Sequence, residues 1–376
     1  MPRKKPRKVR ISLRKNRQKR PRIRHVSRDA QAEDSETVDL PSAERISGKG
    51  DLTRQRTILA DEGESGTGTG VIRAVDETSC RAGRVLSAAG LNCIVSDSSG
   101  HRYECTVRRV VRTMSRAERG AVIAGDSVQF KPIDREHGVI ERVEPRRSIL
   151  ARGTKGKEQI IAANIDQVLI VASAADPPLK TNLVDRLLIS AHKGGVKPIL
   201  CINKSDLVDQ VRLQPILGMY ARLGYEVVLT SAATSSGVEE LRRLLQGRET
   251  VTAGQSGVGK SSLLNSVQPD LRLETDAVSN WTRKGRHTTR TAVLHELDFG
   301  GWVVDTPGIR QMQLWDVRLE EVECFFIEFR PFVPGCRFPD CSHTHESSCA
   351  VKQAVDRDLI SPVRYASYLK IMTGED

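Results

Sequence analysis

The tetrapeptide Asn203-Lys204-Ser205-Asp206 stands about fifty residues before Gly254, Gln255, Ser256, Gly257, Val258, Gly259, Lys260 and Ser261, which together spell G-x-x-x-x-G-K-[ST]. Nucleotide-binding domains that carry both motifs usually place the glycine-rich loop first, so the chain must wind through such a domain from a different starting point: the domain is circularly permuted. The loop's setting supports this. Glu249-Thr-Val-Thr-Ala253 is a β-branched run that predicts a strand entering the loop, and Lys260-Ser-Ser-Leu-Leu-Asn-Ser266 predicts a helix whose N-terminus faces phosphate groups. In that arrangement backbone N–H groups cradle the phosphates, Lys260 reaches the β/γ oxygens and the Ser261 hydroxyl holds Mg²⁺.

The tetrapeptide follows the apolar run Pro198-Ile-Leu-Cys-Ile202, at the carboxyl edge of a buried strand, where open α/β sheets bind ligands. Asp206 can accept hydrogen bonds from the N1–H and N2–H₂ edge of guanine; adenine lacks that pair of donors, so GTP is favoured over ATP. An isolated N-x-x-D is also a common turn, and the co-occurrence with the loop carries the reading. Val227-Val-Leu-Thr230 then predicts a strand ending at Ser231-Ala232, where GTPases place a backbone N–H against the guanine carbonyl. Gly301-Trp-Val-Val-Asp305-Thr-Pro-Gly308 is an apolar strand ending in an acid and a glycine; Asp305 would hold Mg²⁺ through water and the Gly308 N–H would meet the γ-phosphate. Between this and the phosphate loop, Lys284-Gly-Arg-His287-Thr288-Thr289-Arg290 is basic and turn-rich, and either Thr288 or Thr289 is the second Mg²⁺ hydroxyl. Ile309 stands where a Ras-type enzyme has the glutamine that orients the attacking water. His287 is the nearest replacement, able to orient or deprotonate a water near neutral pH; packing or RNA contact is its other reading.

Cys336-Arg-Phe-Pro-Asp-Cys341-Ser-His343-Thr-His-Glu-Ser-Ser-Cys349 forms a second chemical cluster. Three thiolates and one imidazole can close a tetrahedral structural Zn²⁺ site, with His345 a competing fourth ligand and His343 favoured by the shorter step from Cys341. The remaining cysteines, Cys80, Cys93, Cys105, Cys201 and Cys324, are scattered and read as small buried hydrophobes.

The formal net charge of +12 is confined to one end: residues 1–28 hold fourteen Lys/Arg and no acid, leaving 45 basic against 47 acidic residues elsewhere. Residues 1–69 therefore read as a basic tail, disordered when free and suited to polyanions by counterion release, followed by an acidic, Ser/Gly-rich linker. A solubilising extension or a transit peptide is the other reading of the tail. No segment approaches transmembrane length, and scattered cysteines fit a reducing cytoplasm. Residues 70–150 alternate short strands with turn signals. The strands fall near Gly83-Arg-Val-Leu-Ser87, Cys93-Ile-Val95, Tyr103-Glu-Cys-Thr-Val107, Ser127-Val-Gln-Phe-Lys131 and Gly138-Val-Ile-Glu-Arg142. Five strands predict a small barrel, an OB-fold that binds RNA, with an SH3-like packing module as the alternative. Residues 151–315 read as the α/β permuted GTPase domain, with further helices over 183–193 and 238–245. Residues 316–376 read as a small helical zinc-binding domain, with helices over 316–329, 350–359 and 362–369, the last capped by Ser361 with Pro362 at N1.

With these motifs in place, the sequence over roughly residues 70–372 resembles the ribosome small-subunit-dependent GTPase family (RsgA, also called YjeQ). The likeness lies in the order of OB-fold, permuted G-domain and zinc domain, and in the base motif, a phosphate loop running to Ser262, and the four zinc ligands. Arg290 replaces a threonine common in the family's switch, whereas a hydrophobic residue at Ile309 fits it. The resemblance implies a late-acting assembly factor that binds the 30S decoding region, hydrolyses GTP to GDP faster on the subunit and leaves when maturation is complete; 16S rRNA as a partner, no membrane, the cytoplasm as location and a monomer are the accompanying expectations. An RNA-binding scaffold that holds GTP as a structural ligand, and a large-subunit assembly GTPase, are the rival expectations.

Overall fold

The computed structural model describes residues 7–12, 55–61, 72–73, 75, 78–89, 92–108, 111, 122–154, 157–273, 292–305 and 319–374. Within the segment expected to be basic tail and acidic linker, two short strands form. β1 (Arg7–Ser12) and β2 (Gln55–Asp61) pair antiparallel with Val9 opposite Ile58, and β2 pairs with β3 (Ile72–Arg73). Within the basic run, Val9 and Ile11 alternate with polar residues at the period of a strand, and that local pattern outweighs the disorder implied by the charge.

β4 (Arg81–Ala89), β5 (Asn92–Asp97), β6 (Arg102–Val107), β7 (Ser127–Pro132) and β8 (His137–Val143) pair in the circular order β4-β5-β6-β8-β7-β4. Only β6 and β8 run parallel. This closed five-stranded Greek-key barrel is the OB-fold, which removes the SH3-like alternative. Its interior holds Val85, Cys93, Val95, Tyr103, Cys105, Val128, Phe130 and Ile140. Gly83 is required there: a Cβ would lie 2.6 Å from Val95 Cγ1 and 2.8 Å from Phe130 Cε1. β9 (Ile149–Thr154) and β10 (Lys157–Ala163) form a hairpin that leads out of the barrel.

The second sheet has the order β13-β12-β11-β14-β16-β15, built from β11 (Gln167–Ser173), β12 (Lys197–Asn203), β13 (Glu226–Leu229), β14 (Glu249–Ala253), β15 (Val293–Glu296) and β16 (Trp302–Asp305). All neighbours are parallel except β15 with β16. Every residue of β11 is buried, as a central parallel strand covered on both faces demands. Val168 and Ile170 pack with α1 (Thr181–Lys193) and α2 (Gln214–Arg222), while Leu169 and Val171 pack with α3 (Val238–Leu245) and α4 (Lys260–Val267). The sheet is joined to the barrel where Val293 of β15 pairs with Ser87 of β4, and Arg84 of β4 ion-pairs with Glu249 of β14.

The chain continues in α5 (Leu319–Phe325), α6 (Ala350–Asp356) and α7 (Pro362–Thr373). The single helix expected over 316–329 is broken at Phe326, which leaves helical geometry so that Phe326 and Phe329 can both bury and pack on Tyr368, at 5.2 and 5.0 Å between ring centroids. The helix expected to reach residue 359 stops at Asp356, and Asp358 turns the chain with φ 57°. Ser361 occupies the N-cap with Pro362 following, but its hydroxyl lies 3.1 Å from Met219 Sδ of α2 and makes no cap hydrogen bond. Cys93, Cys105 and Cys201 are buried as expected, Cys80 is half-buried, and Cys324 is exposed on α5, where helical phase turns it outward. Among the described residues no helix is long and apolar enough to cross a membrane.

Candidate nucleotide site and metal centre

From β11 the strand order runs outward through β12 and β13 on one side and β14 and β16 on the other. The carboxyl ends of β11 and β14 therefore flank the point where the sheet reverses direction, the usual ligand crevice of an open α/β sheet. Both motifs read from the sequence converge there. Asn203 ends β12, and its side-chain amide donates to the Val258 carbonyl at 2.9 Å, tying the tetrapeptide to the glycine-rich loop across 55 residues of sequence. Two glycines permit the approach. A Cβ on Gly254 (φ +146°) would lie 2.1 Å from the Val171 carbonyl oxygen, and one on Gly259 (φ +88°) would lie 2.6 Å from the Asn203 amide nitrogen.

Gly259 caps α4 in the left-handed conformation and offers no side-chain acceptor, so the N-terminus of that helix faces the loop with no capping side chain. Lys260 Nζ donates to the Gly254 and Gln255 carbonyls at 2.9 and 2.8 Å, which holds the ammonium over the loop that Ser256 and Gly257 complete. Such a basic cradle, with a helix N-terminus aimed at it and glycines where side chains would obstruct, fits a polyphosphate.

On the other wall, Lys204 adopts φ 62° and its ammonium donates to the Asp176 carbonyl, while the buried Ser205 N–H donates to the Thr230 carbonyl at 3.1 Å. The Ser231 hydroxyl donates to Asp206 Oδ1 at 2.5 Å, orienting that carboxylate. Asn203 Oδ1 accepts from Thr230 Oγ1 at 3.3 Å and from the Ala232 N–H at 3.2 Å, so the Ala232 amide expected to meet a guanine carbonyl here supports Asn203. Thr230, and the 174–180 segment with Asp176 and Pro177, were not picked out from the sequence; the signal for Thr230 was its position just before Ser231, and for Pro177 there was none. Asp305 ends β16 beside β14, placing it at the same edge. His287, Thr288, Thr289, Gly308 and Ile309 lie outside the described residues.

The second cluster also assembles. One ligand atom from each of Cys336, Cys341, His343 and Cys349 lies within 4.8 Å of all the others. His343 Nδ1 is 3.3 Å from Cys349 Sγ and 3.6 Å from Cys336 Sγ, and those two sulfurs are 3.9 Å apart. Tetrahedral ligands about 2.3 Å from a common ion are separated by roughly 3.8 Å, so the residues fit a metal of zinc's size. His345 is 85 % exposed at its side chain and belongs to no such group, leaving His343, fully buried, as the histidine of the cluster. The loop is braced by Glu346, which accepts from the Ser342 N–H (2.7 Å) and hydroxyl (2.8 Å) and from the Thr344 N–H (3.1 Å). Although burial pushes the Glu346 carboxyl up, these donors outweigh it and bring it down to about 2.

The RsgA GTPase family model matches residues 143–315. The small ribosomal subunit biogenesis GTPase RsgA of Chlorobaculum parvum is 40 % identical over 307 residues, spanning 78 % of this chain and 98 % of that protein. The chain belongs to the RsgA family. Solved structures of the family's fold agree with the architecture: YjeQ from Thermotoga maritima superposes with a TM-score of 0.65 at 36 % identity, covering 78 % of this chain and 98 % of its own. YloQ, described as a circularly permuted GTPase, superposes at 0.62 with 29 % identity, covering 80 % and 97 %. The likeness covers about four-fifths of this chain and nearly the whole length of each of these relatives.

Proposed function

We propose that this chain is a GTP-hydrolysing assembly factor of the small ribosomal subunit, acting late and leaving when its GTP is spent. The observation that carries the reading is the Asn203–Val258 hydrogen bond, which joins a guanine-selective motif to a phosphate loop at the sheet's reversal point. RsgA relatives named as small ribosomal subunit biogenesis GTPases support the subunit assignment. In this reading Asp206 recognises the base, Asn203, Lys204, Ser205, Ser231 and Ala232 shape its pocket, and the loop from Gly254 through Lys260 with Ser262 holds the phosphates. Ser261, Asp305 and one of Thr288 and Thr289 would hold Mg²⁺, which supplies charge neutralisation at the phosphates. Gly308 meets the terminal phosphate, and His287 takes the water-orienting role that Ile309 cannot. The barrel and the basic N-terminus meet 16S rRNA, the protein works as a cytoplasmic monomer, and the metal of the Cys336, Cys341, His343 and Cys349 centre is zinc. In this reading the domain bounds are 1–69 for the tail and linker, 70–150 for the OB-fold, 151–315 for the permuted GTPase domain and 316–376 for the zinc-binding domain.

Cosedimentation in a non-hydrolysable GTP analogue is expected to place the protein on purified small subunits and not on large ones; pelleting with large subunits alone would overturn the assignment. Single-turnover hydrolysis should be slow for the free chain and faster with small subunits. His287→Ala should remove that stimulation while nucleotide affinity stays within a few-fold, because the residue acts on the attacking water. Unchanged stimulation would assign the water to another group. Cys341→Ser, or strong chelation, should release the metal and speed hydrogen exchange across residues 336–349, because the ion closes that short loop while the core around Phe326, Phe329 and Tyr368 persists; full metal retention in Cys341→Ser would exclude Cys341 as a ligand.

A further inference from the structure

Glu323 lies on α5, thirteen residues before the first cysteine of the metal cluster, and no spacing rule connects it to that loop. Its Oε2 is nevertheless 3.0 Å from Nε2 of His343. We infer that Glu323 is a positioning residue for the metal centre, holding the His343 imidazole in the tautomer and orientation that present Nδ1 to the ion. The inference rests on the metal reading proposed above.

The chemistry is constrained on both ring nitrogens. A neutral imidazole carries one N–H and one lone pair, and a carboxylate can only accept. The N–H therefore sits on Nε2, toward Glu323, and the lone pair on Nδ1, which is the nitrogen facing Cys349 Sγ at 3.3 Å and Cys336 Sγ at 3.6 Å. The His343 side chain is fully buried, so water cannot substitute as acceptor for Nε2. Metal-bound histidines commonly donate their other ring N–H to a carboxylate, which fixes the ring and raises its basicity.

The backbone of His343 needs the same support. It sits in the left-handed region at φ 56°, which a residue with a Cβ adopts at some cost. α7 holds it there: the Tyr365 hydroxyl donates to the His343 carbonyl at 2.7 Å and the Tyr368 hydroxyl to the Ser342 carbonyl at 2.8 Å. α7 thus places the backbone and α5 aims the ring. The same short α5 carries Glu321, whose carboxylate accepts from Lys193 of α1 at 2.5 Å. One helix therefore touches both the metal ligand and the nucleotide-binding sheet's covering helix.

The test uses the full chain, with zinc affinity measured by competition with a chromophoric chelator and ligand geometry read from the visible absorption of the Co²⁺-substituted protein. Glu323→Leu is expected to weaken zinc about 10–100-fold and to change the Co²⁺ spectrum, because the imidazole no longer holds the fourth position. Glu323→Gln keeps an acceptor for Nε2–H and should retain the wild-type spectrum and most of the affinity. Glu321→Leu, which breaks the α5 anchor to Lys193 and does not touch His343, should leave both readouts unchanged. Wild-type affinity and spectrum in Glu323→Leu would overturn the inference, as would equal weakening by Leu and Gln with unaltered spectra, the signature of a purely structural contact. A wild-type chain that binds neither ion would instead overturn the metal reading itself, and this inference with it.

Discussion

Asp206→Asn should lose GTP affinity by about 10²-fold or more and bind xanthosine triphosphate better than the native protein does, measured side by side by titration with fluorescent analogues. The native carboxylate is half of a matched pair, two acceptor oxygens against the two donors of guanine. Its orientation is set before any nucleotide arrives, because the Ser231 hydroxyl donates to Oδ1 at 2.5 Å and the preceding Ser205 N–H is fastened to the Thr230 carbonyl. Exchanging one oxygen for an NH₂ group turns a donor toward the guanine N–H edge, whereas xanthine offers a carbonyl there. The phosphate loop is untouched, so the loss falls on base recognition alone. Equal affinity of the native chain for ATP and GTP, or an Asp206→Asn variant that keeps GTP, would remove Asp206 from the base pocket.

The parts of this architecture legible in the sequence were those whose chemistry is local. Gly254 and Gly259 are glycines because a Cβ would strike Val171 and Asn203, and so the loop motif survives as a string of letters. The barrel could be read because its strands alternate between a packed interior and solvent, as in β6, where Tyr103 and Cys105 are buried between exposed neighbours. The uniformly buried β11 carries the opposite signature, the unbroken apolar run Val168-Leu-Ile-Val-Ala172. α2 was missed because Pro215 and Gly218 interrupt its pattern; Tyr220 makes it a helix by tertiary burial, its ring fully enclosed and its hydroxyl donating to Asp185 at 2.8 Å. The break at Phe326 was hidden for the same kind of reason, since the need to bury two rings against Tyr368 is a property of the packed domain.

The candidate sites divide in the same way. Four metal ligands within fourteen residues announce themselves, and burial then chooses His343 over His345. What aims those ligands comes from elsewhere in the chain: Glu323 from α5, Tyr365 and Tyr368 from α7. Thr230 stands in the same relation to Asn203. Residues that bear chemistry carry a motif, whereas residues that orient them carry only a distance.

Arg364→Met should destabilise the chain by about 3–5 kcal/mol, because it strips the guanidinium from the fully buried Asp185 carboxylate and from Glu328 beside it. Arg364 on α7 is 2 % exposed. It ion-pairs with Asp185 of α1, donates to Glu328 through Nε at 2.6 Å and Nη2 at 3.3 Å, and lies over the Phe326 ring at 4.4 Å. Asp185 is fully buried, its second oxygen without a hydrogen-bond partner in the structure, and Tyr220 of α2 donates to the first. One guanidinium thereby fastens the metal-bearing helices to the helices that cover the nucleotide sheet. Burial already pushes the Asp185 carboxyl above its usual value against the pull of Arg364, and without Arg364 only the Ser367 and Tyr220 hydroxyls still pull it down. A carboxyl whose value in the folded state exceeds its unfolded value of about 3.9 costs stability as pH rises through the folded value, and the cost vanishes below the unfolded one. The difference between variant and native protein should therefore be largest near neutral pH and shrink on acidification, as Asp185 takes up a proton. Adding Asp185→Asn should recover part of the loss at neutral pH and flatten this dependence. Urea unfolding across that range, with hydrogen exchange in α1 and α7 as the local readout, measures both. A loss under about 1 kcal/mol, or a difference that stays constant with pH, would mean that the guanidinium is not what joins the two regions.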